Sequence, residues 1–381
     1  MKKQRERFPI VVHSHLRWDF VWQRPQQIFS RLARHHGVLF VEEPVHEAGE
    51  PRLRIIEAQA GVMRAIPVLP EPCGVDAACE AVLPLLQRAL ATHPLLADRF
   101  VQPVQWFYSP MCAPRMAGAF GDGAIVYDCM DELANFRFAP PDIAERERFL
   151  LGRADVVFTG GRALYEAKSR HHGNVHFFGC GVDATHFGAA RVAATPVPAA
   201  VAGLPRPVLG YFGVIDERLD YGLVDALARA FSQGSIVMAG PLAKVTPEEL
   251  PDRPNLHWLG QQPYEALPAL VKGFDVCLMP FALNEATRYI NPTKTLEYMA
   301  AGKPIVSTAV PDVVRNFGDF VRIADSLDGF VEQALEALAP DPARIAAGIE
   351  RANGATWDAI VAAMRRHVLH AVNGRLSLAA A

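Results

Sequence analysis

Asn291, Lys294, Thr295 and Glu297 cluster where a helix should begin, in the segment NPTKTLEYMAAGKPIVST (291–308). Asn291 suits the capping position and Pro292 the first helical position. A helix start presents unbonded N–H groups at a positive dipole end, a combination that attracts anions. Lys294 in the first turn opposes that dipole unless an anion sits nearby. Glu297, one turn on, could accept hydrogen bonds from a pair of sugar hydroxyls. At about 100° per residue, Leu296, Met299 and Ala300 share a face that can pack on a sheet, while Lys294, Glu297, Tyr298 and Ala301 point the other way. Alone, the pair also fits an ordinary exposed Lys–Glu contact at i,i+3. Gly302-Lys303-Pro304, which ends the helix and starts a buried strand, favours a built turn.

Two further groupings lie in the first half. HSHLRWDFVWQRPQQIFSRLA (13–33) follows the first apolar run and carries His15, Arg17, Trp18, Asp19, Trp22 and Arg24. Trp18 and Trp22 could stack on sugar faces, and Arg17 and Arg24 could hold an anionic acceptor beside His15. The same residues also read as core tryptophans with a polar rim. In YDCMDELANF (127–136), Asp128 and Asp131 stand at a strand end, where a carboxylate can act as general base on a hydroxyl. Asp131 reads equally as a helix cap. Asp19 is a third carboxylate candidate.

Short apolar runs alternating with helical periodicity must position these groups, a pattern that predicts parallel sheets covered by helices. The expected strands are 9–15, 37–43, 104–110, 124–131, 155–160 and 174–181, with a hairpin or ragged edge over 52–70. Helices are expected at Gln23–His35, Val75–Thr92, Ile143–Arg153 and Ala163–His172. An Ala-, Val- and Pro-rich stretch, AARVAATPVPAAVAGLPRP, then reads as an interdomain linker over 189–206. Beyond it strands are expected at 207–215, 235–240, 255–260, 275–281, 304–308 and 320–324, and helices at Tyr221–Phe231, Tyr264–Lys272 and Pro292–Ala301, then from Leu327 to about His370. The division is therefore a first α/β domain over 1–188, a second over 207–354, and a terminal helix and tail over 355–381. Ligands of such sheets bind beyond the carboxyl ends of the strands.

The bulk numbers fit two domains. The chain has 381 residues, half of them hydrophobic, and one core rarely serves more than about 250. Lys and Arg total 38 against 41 Asp and Glu, a formal charge of -3 that argues against a general nucleic-acid binder. The six cysteines form no CxxC pair and read as reduced thiols of a cytoplasmic protein. MKKQRERFPIVVHSH has too short an apolar part for a signal peptide, and no apolar stretch is long enough to span a membrane.

The segment 291–308 resembles the pattern P-x-K-x-x-E-[YA]-[ML]-A-x-G-K-P-[IV]-V in the donor domain of GT-B glycosyltransferases, most of all the retaining family 4 enzymes. The resemblance implies two Rossmann-like doubly wound domains facing a cleft, with the last helix crossing back to the first domain. It also implies transfer of a sugar from a nucleotide-diphosphate donor, with Lys294 at the diphosphate and Glu297 at the ribose. The family's earlier glutamate, eight residues before the ribose glutamate, is here Tyr289, and Glu285 is not in its place. GYFGVIDERLDYGL (210–223) is similar to the first strand and loop of that domain, implying backbone approach at Gly213 and a phosphate cation at Arg218. Asp220-Tyr221 stands where the family often has Lys-Gly. NLHWLGQQPYEALPAL (255–270) resembles the turn that cups the base, with Gly260 and Gln261 beside it. The likeness runs over about 205–365 and is thinner in the first half, where W-x-x-R-P-Q-Q resembles a subset of bacterial polysaccharide glycosyltransferases.

The expected partners are a nucleotide sugar and a saccharide or lipid-linked acceptor, with no nucleic acid and a peripheral contact at the cytoplasmic face of the inner membrane. No cofactor beyond the nucleotide sugar is expected, and no obligatory metal, because no DxD-like pair sits in the donor segments. The rival readings are a dinucleotide oxidoreductase, which lacks its GxGxxG, a nucleotide-sugar epimerase, and a non-enzymatic binding subunit.

Overall fold

The computed structural model describes residues 6–378. The chain divides into two compact units: Met1–Phe178 with Asp358–Ala381, and Gly179–Trp357.

The first unit is built on a nine-stranded sheet. Its strands are β1 (Ile10–His13), β2 (Val38–Val41), β3 (Val45–His46), β4 (Arg52–Gln59), β5 (Val62–Leu69), β6 (Val104–Phe107), β7 (Ala124–Cys129), β8 (Val156–Thr159) and β9 (Val175–Phe177). The order is β3-β5-β2-β1-β6-β7-β8-β9, with β4 antiparallel on β5 and the other pairs parallel. The central strands β1, β2, β6, β7 and β8 are buried along their whole length, which is why they read as unbroken apolar runs. The 52–70 segment is the expected hairpin, and Gly61 at φ 83° turns it. Helices Val75–Thr92 and Ile143–Arg153 match their expected spans. The last helix, Trp357–Leu378, joins this unit from Asp358 on. Asp358 accepts from Arg31 and Arg34, Arg375 pairs with Asp155 at 2.8 Å, and the ring of His367 lies 3.7 Å from that of His176.

The second unit carries a six-stranded, all-parallel sheet in the order β12-β11-β10-β13-β14-β15. The strands are β10 (Val208–Phe212), β11 (Ser235–Ala239), β12 (Leu256–Gly260), β13 (Val276–Met279), β14 (Ile305–Thr308) and β15 (Arg322–Ala324). Its order reverses direction at β10, and the loop after β10 is where such sheets receive ligands. The expected linker over 189–206 is corrected here. Those residues lie inside the second unit, with Ala190 and Val201 buried. Lys272 Nζ donates to the carbonyls of Val192, Ala193 and Thr195 at 2.7, 2.8 and 2.6 Å. Low charge and high Ala, Val and Pro content suit packing against helix Leu267–Lys272 as well as they suit a tether. Among the described residues no helix is long and apolar enough to cross a membrane, and all six cysteines are free thiols.

Candidate donor and acceptor sites

In the second unit the chain leaves β10 through Gly213, whose φ of 145° is open to glycine and disfavoured for any L side chain. A Cβ there would fall 2.1 Å from Lys294 Cε and 2.7 Å from the Tyr211 hydroxyl. Gly240, after β11, lies as close: a Cβ on it would overlap the Gly213 carbonyl at 1.7 Å. Two glycines thus let the backbone pass where side chains would fill the space. Lys294 reaches back into that space, its Nζ 5.5 Å from the centroid of the Phe212 ring.

Helix Lys294–Ala300 starts later than the expected Pro292 because Thr293 occupies the capping position. Asn291 is therefore not the cap; its carbonyl accepts from Cys180 Sγ at 3.2 Å. The helix is buried nearly all round. Tyr298, expected on the outer face, is fully buried, and its hydroxyl accepts from the Phe212 N–H at 3.1 Å. Thr295 is equally buried, its hydroxyl on Met279 Sδ at 3.5 Å, so it supports the helix from below. Lys294 and Glu297 keep a minor share of their surface exposed. Glu297 Oε2 is buried and accepts no hydrogen bond among the described residues.

Electrostatics sharpen this. Burial pulls the Lys294 ammonium below its usual value, opposed by Glu297 and reinforced by Arg218. Burial pushes the Glu297 carboxyl up, opposed by Lys294. Both groups are poorly solvated, and no Lys294–Glu297 ion pair within 4 Å joins them. Arg218 is held by a two-pronged pair with Asp216, at 3.0 and 2.6 Å, so its charge is partly answered by the protein. Gly260, at φ 64°, and Gln261 lie exposed at the end of β12. Tyr289 is half-buried next to Arg288, and Glu285 is exposed with Arg288 3.7 Å away.

In the first unit the loop after β1 is organised by two residues that the sequence did not single out. Glu42, fully buried, accepts from Arg17 Nη1 at 3.2 Å, the Trp18 N–H at 3.1 Å and Arg64 Nε at 2.8 Å. Gln26 caps the other side, its Nε2 donating to the Trp18 carbonyl at 2.8 Å and its Oε1 accepting from the Gln23 N–H. Charged residues at the end of β2 and inside the alternation of β5 were the available signal. Trp18 is 6% exposed and packs on Phe40, so it belongs to the core, while Trp22 is half-buried at its edge with ring centroids 6.1 Å apart. His15 is half-buried in the same loop. Asp19 is exposed and paired with Arg64.

Arg24 and Asp128, expected at the acceptor and as a base, are brought together instead. Both are buried, Arg24 clamps Asp128 with Nε and Nη2 at 3.1 and 2.9 Å, and Nη1 donates to the Phe178 carbonyl at 2.8 Å. A carboxylate so enclosed serves as a strut. Asp131 is half-buried in the bend after β7, and Glu132, not Asp131, precedes the 3-10 turn Leu133–Asn135. The bend is fastened by Lys168, whose buried ammonium lies 2.8 Å from Glu132 and 2.7 Å from Glu147.

Comparisons with known proteins bear on the fold and the family. The model of the family described as glycosyl transferases group 1 matches residues 206–340. TuaH of Bacillus subtilis (strain 168), named for a glycosyltransferase role in teichuronic acid biosynthesis, is 26% identical over 214 residues, 52% of this chain and 53% of TuaH. The chain thus matches about half the length of that relative. Among solved structures, sucrose-phosphate synthase from Thermosynechococcus elongatus aligns with a TM-score of 0.71 at 16% identity, over 99% of this chain and 100% of the other. The alpha,alpha-trehalose 6-phosphate synthase of Burkholderia multivorans aligns at 0.67 and 16%, over 98% and 100%. An E. coli trehalose-6-phosphate structure bound with UDP-2-fluoro glucose aligns at 0.65 and 15%, over 95% and 99%. At such identities the structural likeness speaks for the fold. The chain has the GT-B fold, and its residues 206–340 are similar to the glycosyl transferases group 1 family.

Proposed function

We propose that the chain is a hexosyltransferase-like enzyme that moves a sugar from a nucleoside-diphosphate donor to a saccharide or lipid-linked acceptor in cell-surface polysaccharide assembly. One observation carries the reading: Lys294 reaches into the space that Gly213 leaves open, and Glu297, one helical turn on, has a buried carboxylate oxygen with no hydrogen bond among the described residues. A diphosphate would answer Lys294, and ribose hydroxyls would donate to Glu297. As the sugar leaves, charge grows on the diphosphate, and Lys294 with Arg218 would stabilise it. Gly260 and Gln261 would lie near the base. On the acceptor side Arg17, Trp22 and His15 would meet a sugar, and Asp131 would take a hydroxyl proton. The name of TuaH supports the link to polysaccharide. The reading needs no cofactor beyond the nucleotide sugar and no obligatory metal, and it sets the work in the cytoplasm at the inner face of the membrane.

The test is calorimetry with UDP, GDP, dTDP and ADP on the wild type, Lys294→Ala and Glu297→Ala. Each substitution should weaken the preferred nucleotide by about tenfold or more, the worth of one charge-assisted hydrogen bond. Wild-type affinity in both variants would sink the proposal. Binding with no transfer to any lipid-linked or saccharide acceptor would point to a binding subunit instead.

A further inference from the structure

At the amino end of the first unit's sheet lies a cavity of about 460 Å³, within the range of small-molecule sites. Its floor is the start of three neighbouring parallel strands, at Pro9 before β1, Gly37 before β2 and Gly61 before β5. β1 is four residues long, so this end lies about 13 Å from the loop that follows the strand, at about 3.3 Å per residue. The cavity is therefore separate from the acceptor loop.

Its walls combine the part-exposed apolar side chains of Met63 and Leu95 with cations, and buried rings back them. Phe8 stacks on His36 with centroids 4.0 Å apart, and the Phe100 ring lies 3.5 Å from where a Cβ on Gly37 would stand. Arg99 and Phe100 of the lining are flanked by Asp98 and Gln102, which hold left-handed φ values of 63° and 48° although neither is glycine. Such strain persists only where the surroundings impose it, and it gathers at ligand sites. Between Asp98 and Gln102, Phe100 is buried, 8% exposed, and Arg99 stands exposed at the rim. The Arg99 guanidinium has no hydrogen bond or ion pair among the described residues. Arg7 and His35 share the rim, and Glu57 is the one carboxylate in the lining. His36 does not add a charge: burial, then Arg365, His35 and Arg7, hold its pKa at about 4. Arg365 Nε donates to His36 Nε2 at 2.8 Å, and His36 Nδ1 lies 3.1 Å from the Phe8 carbonyl and 3.2 Å from the Phe8 nitrogen.

We propose that this cavity binds a small amphipathic anion, an apolar ring bearing a phosphate or carboxylate. The ring lies against Met63 and Leu95, and the anionic group meets Arg99. The assignment is independent of the donor site. It is tested by saturation-transfer NMR on the full chain with phenyl phosphate, benzoate and phenol as probes. Phenyl phosphate or benzoate should bind, the stronger of the two naming the anion, with phenol weaker by about tenfold or more. Arg99→Glu, at an exposed position with no partner to lose, should weaken the anion by a similar factor, and Lys294→Ala should leave it unchanged. Three results would overturn the proposal: no binding of either anion, wild-type affinity in Arg99→Glu, or loss in Lys294→Ala.

Discussion

Gly213→Ala separates the two things this position does. Its φ of 145° costs an L residue about 1–3 kcal/mol. At about 2–4 °C per kcal/mol for a unit of this size, the melting temperature should fall by several degrees. The new methyl group would also stand 2.1 Å from Lys294 Cε, about 1.3 Å short of ordinary contact. The lysine end is flexible and will swing away, and the Tyr211 hydroxyl, 2.7 Å from the same methyl, must shift at further cost, so the fold survives while the ammonium leaves its place over Phe212. Losing one charge-assisted hydrogen bond of about 1.5–3 kcal/mol corresponds to about a 10- to 150-fold loss of nucleotide affinity. The assay is calorimetry of the preferred nucleoside diphosphate on wild type, Gly213→Ala, Lys294→Ala and the double variant. If Gly213 acts by giving Lys294 room, the double variant binds no worse than Lys294→Ala alone, because the interaction is lost once. Additive losses, or wild-type affinity in a folded Gly213→Ala, would refute the reasoning.

Arg24→Ala should leave Asp128 buried and unpaired and cost about 3–5 kcal/mol in urea unfolding, whereas Asp19→Ala, at an exposed pair, should cost at most about 1 kcal/mol. Acid should destabilise the first unit through His13 and His36, both held at about 4 chiefly by burial. Their folded pKa lies below the ordinary 6.5, so the stability is full above 6.5 and is lost as pH falls from there towards about 4, at up to about 3 kcal/mol per histidine. Melting followed from pH 7 to 4 should show that fall, and His36→Gln should flatten it. Sugar transfer, assayed with radiolabelled donor, should keep its rate in EDTA; a loss restored by a divalent cation would overturn metal independence.

Period and punctuation in the chain were enough for the two α/β halves, because parallel strands buried on both faces leave unbroken apolar runs and helices leave a 3.6-residue stripe. Val75–Thr92 and Ile143–Arg153 needed nothing more. Lys294 and Glu297 could be singled out as candidates, since residue type, spacing and the Gly-Lys-Pro turn are local facts. Burial is not local. Periodicity put Tyr298 outside, yet β10 covers that face and takes its hydroxyl for the Phe212 N–H. Composition made 189–206 a tether, yet helix Leu267–Lys272 supplies the surface and the lysine that fix it. Asp128 and Arg24 were each legible as reactive groups, and only the fold, by joining positions 104 residues apart, made them answer each other. Sequence determined which chemistries were available; tertiary structure decided which charges stayed unmatched, because matching depends on distances between residues far apart in the chain.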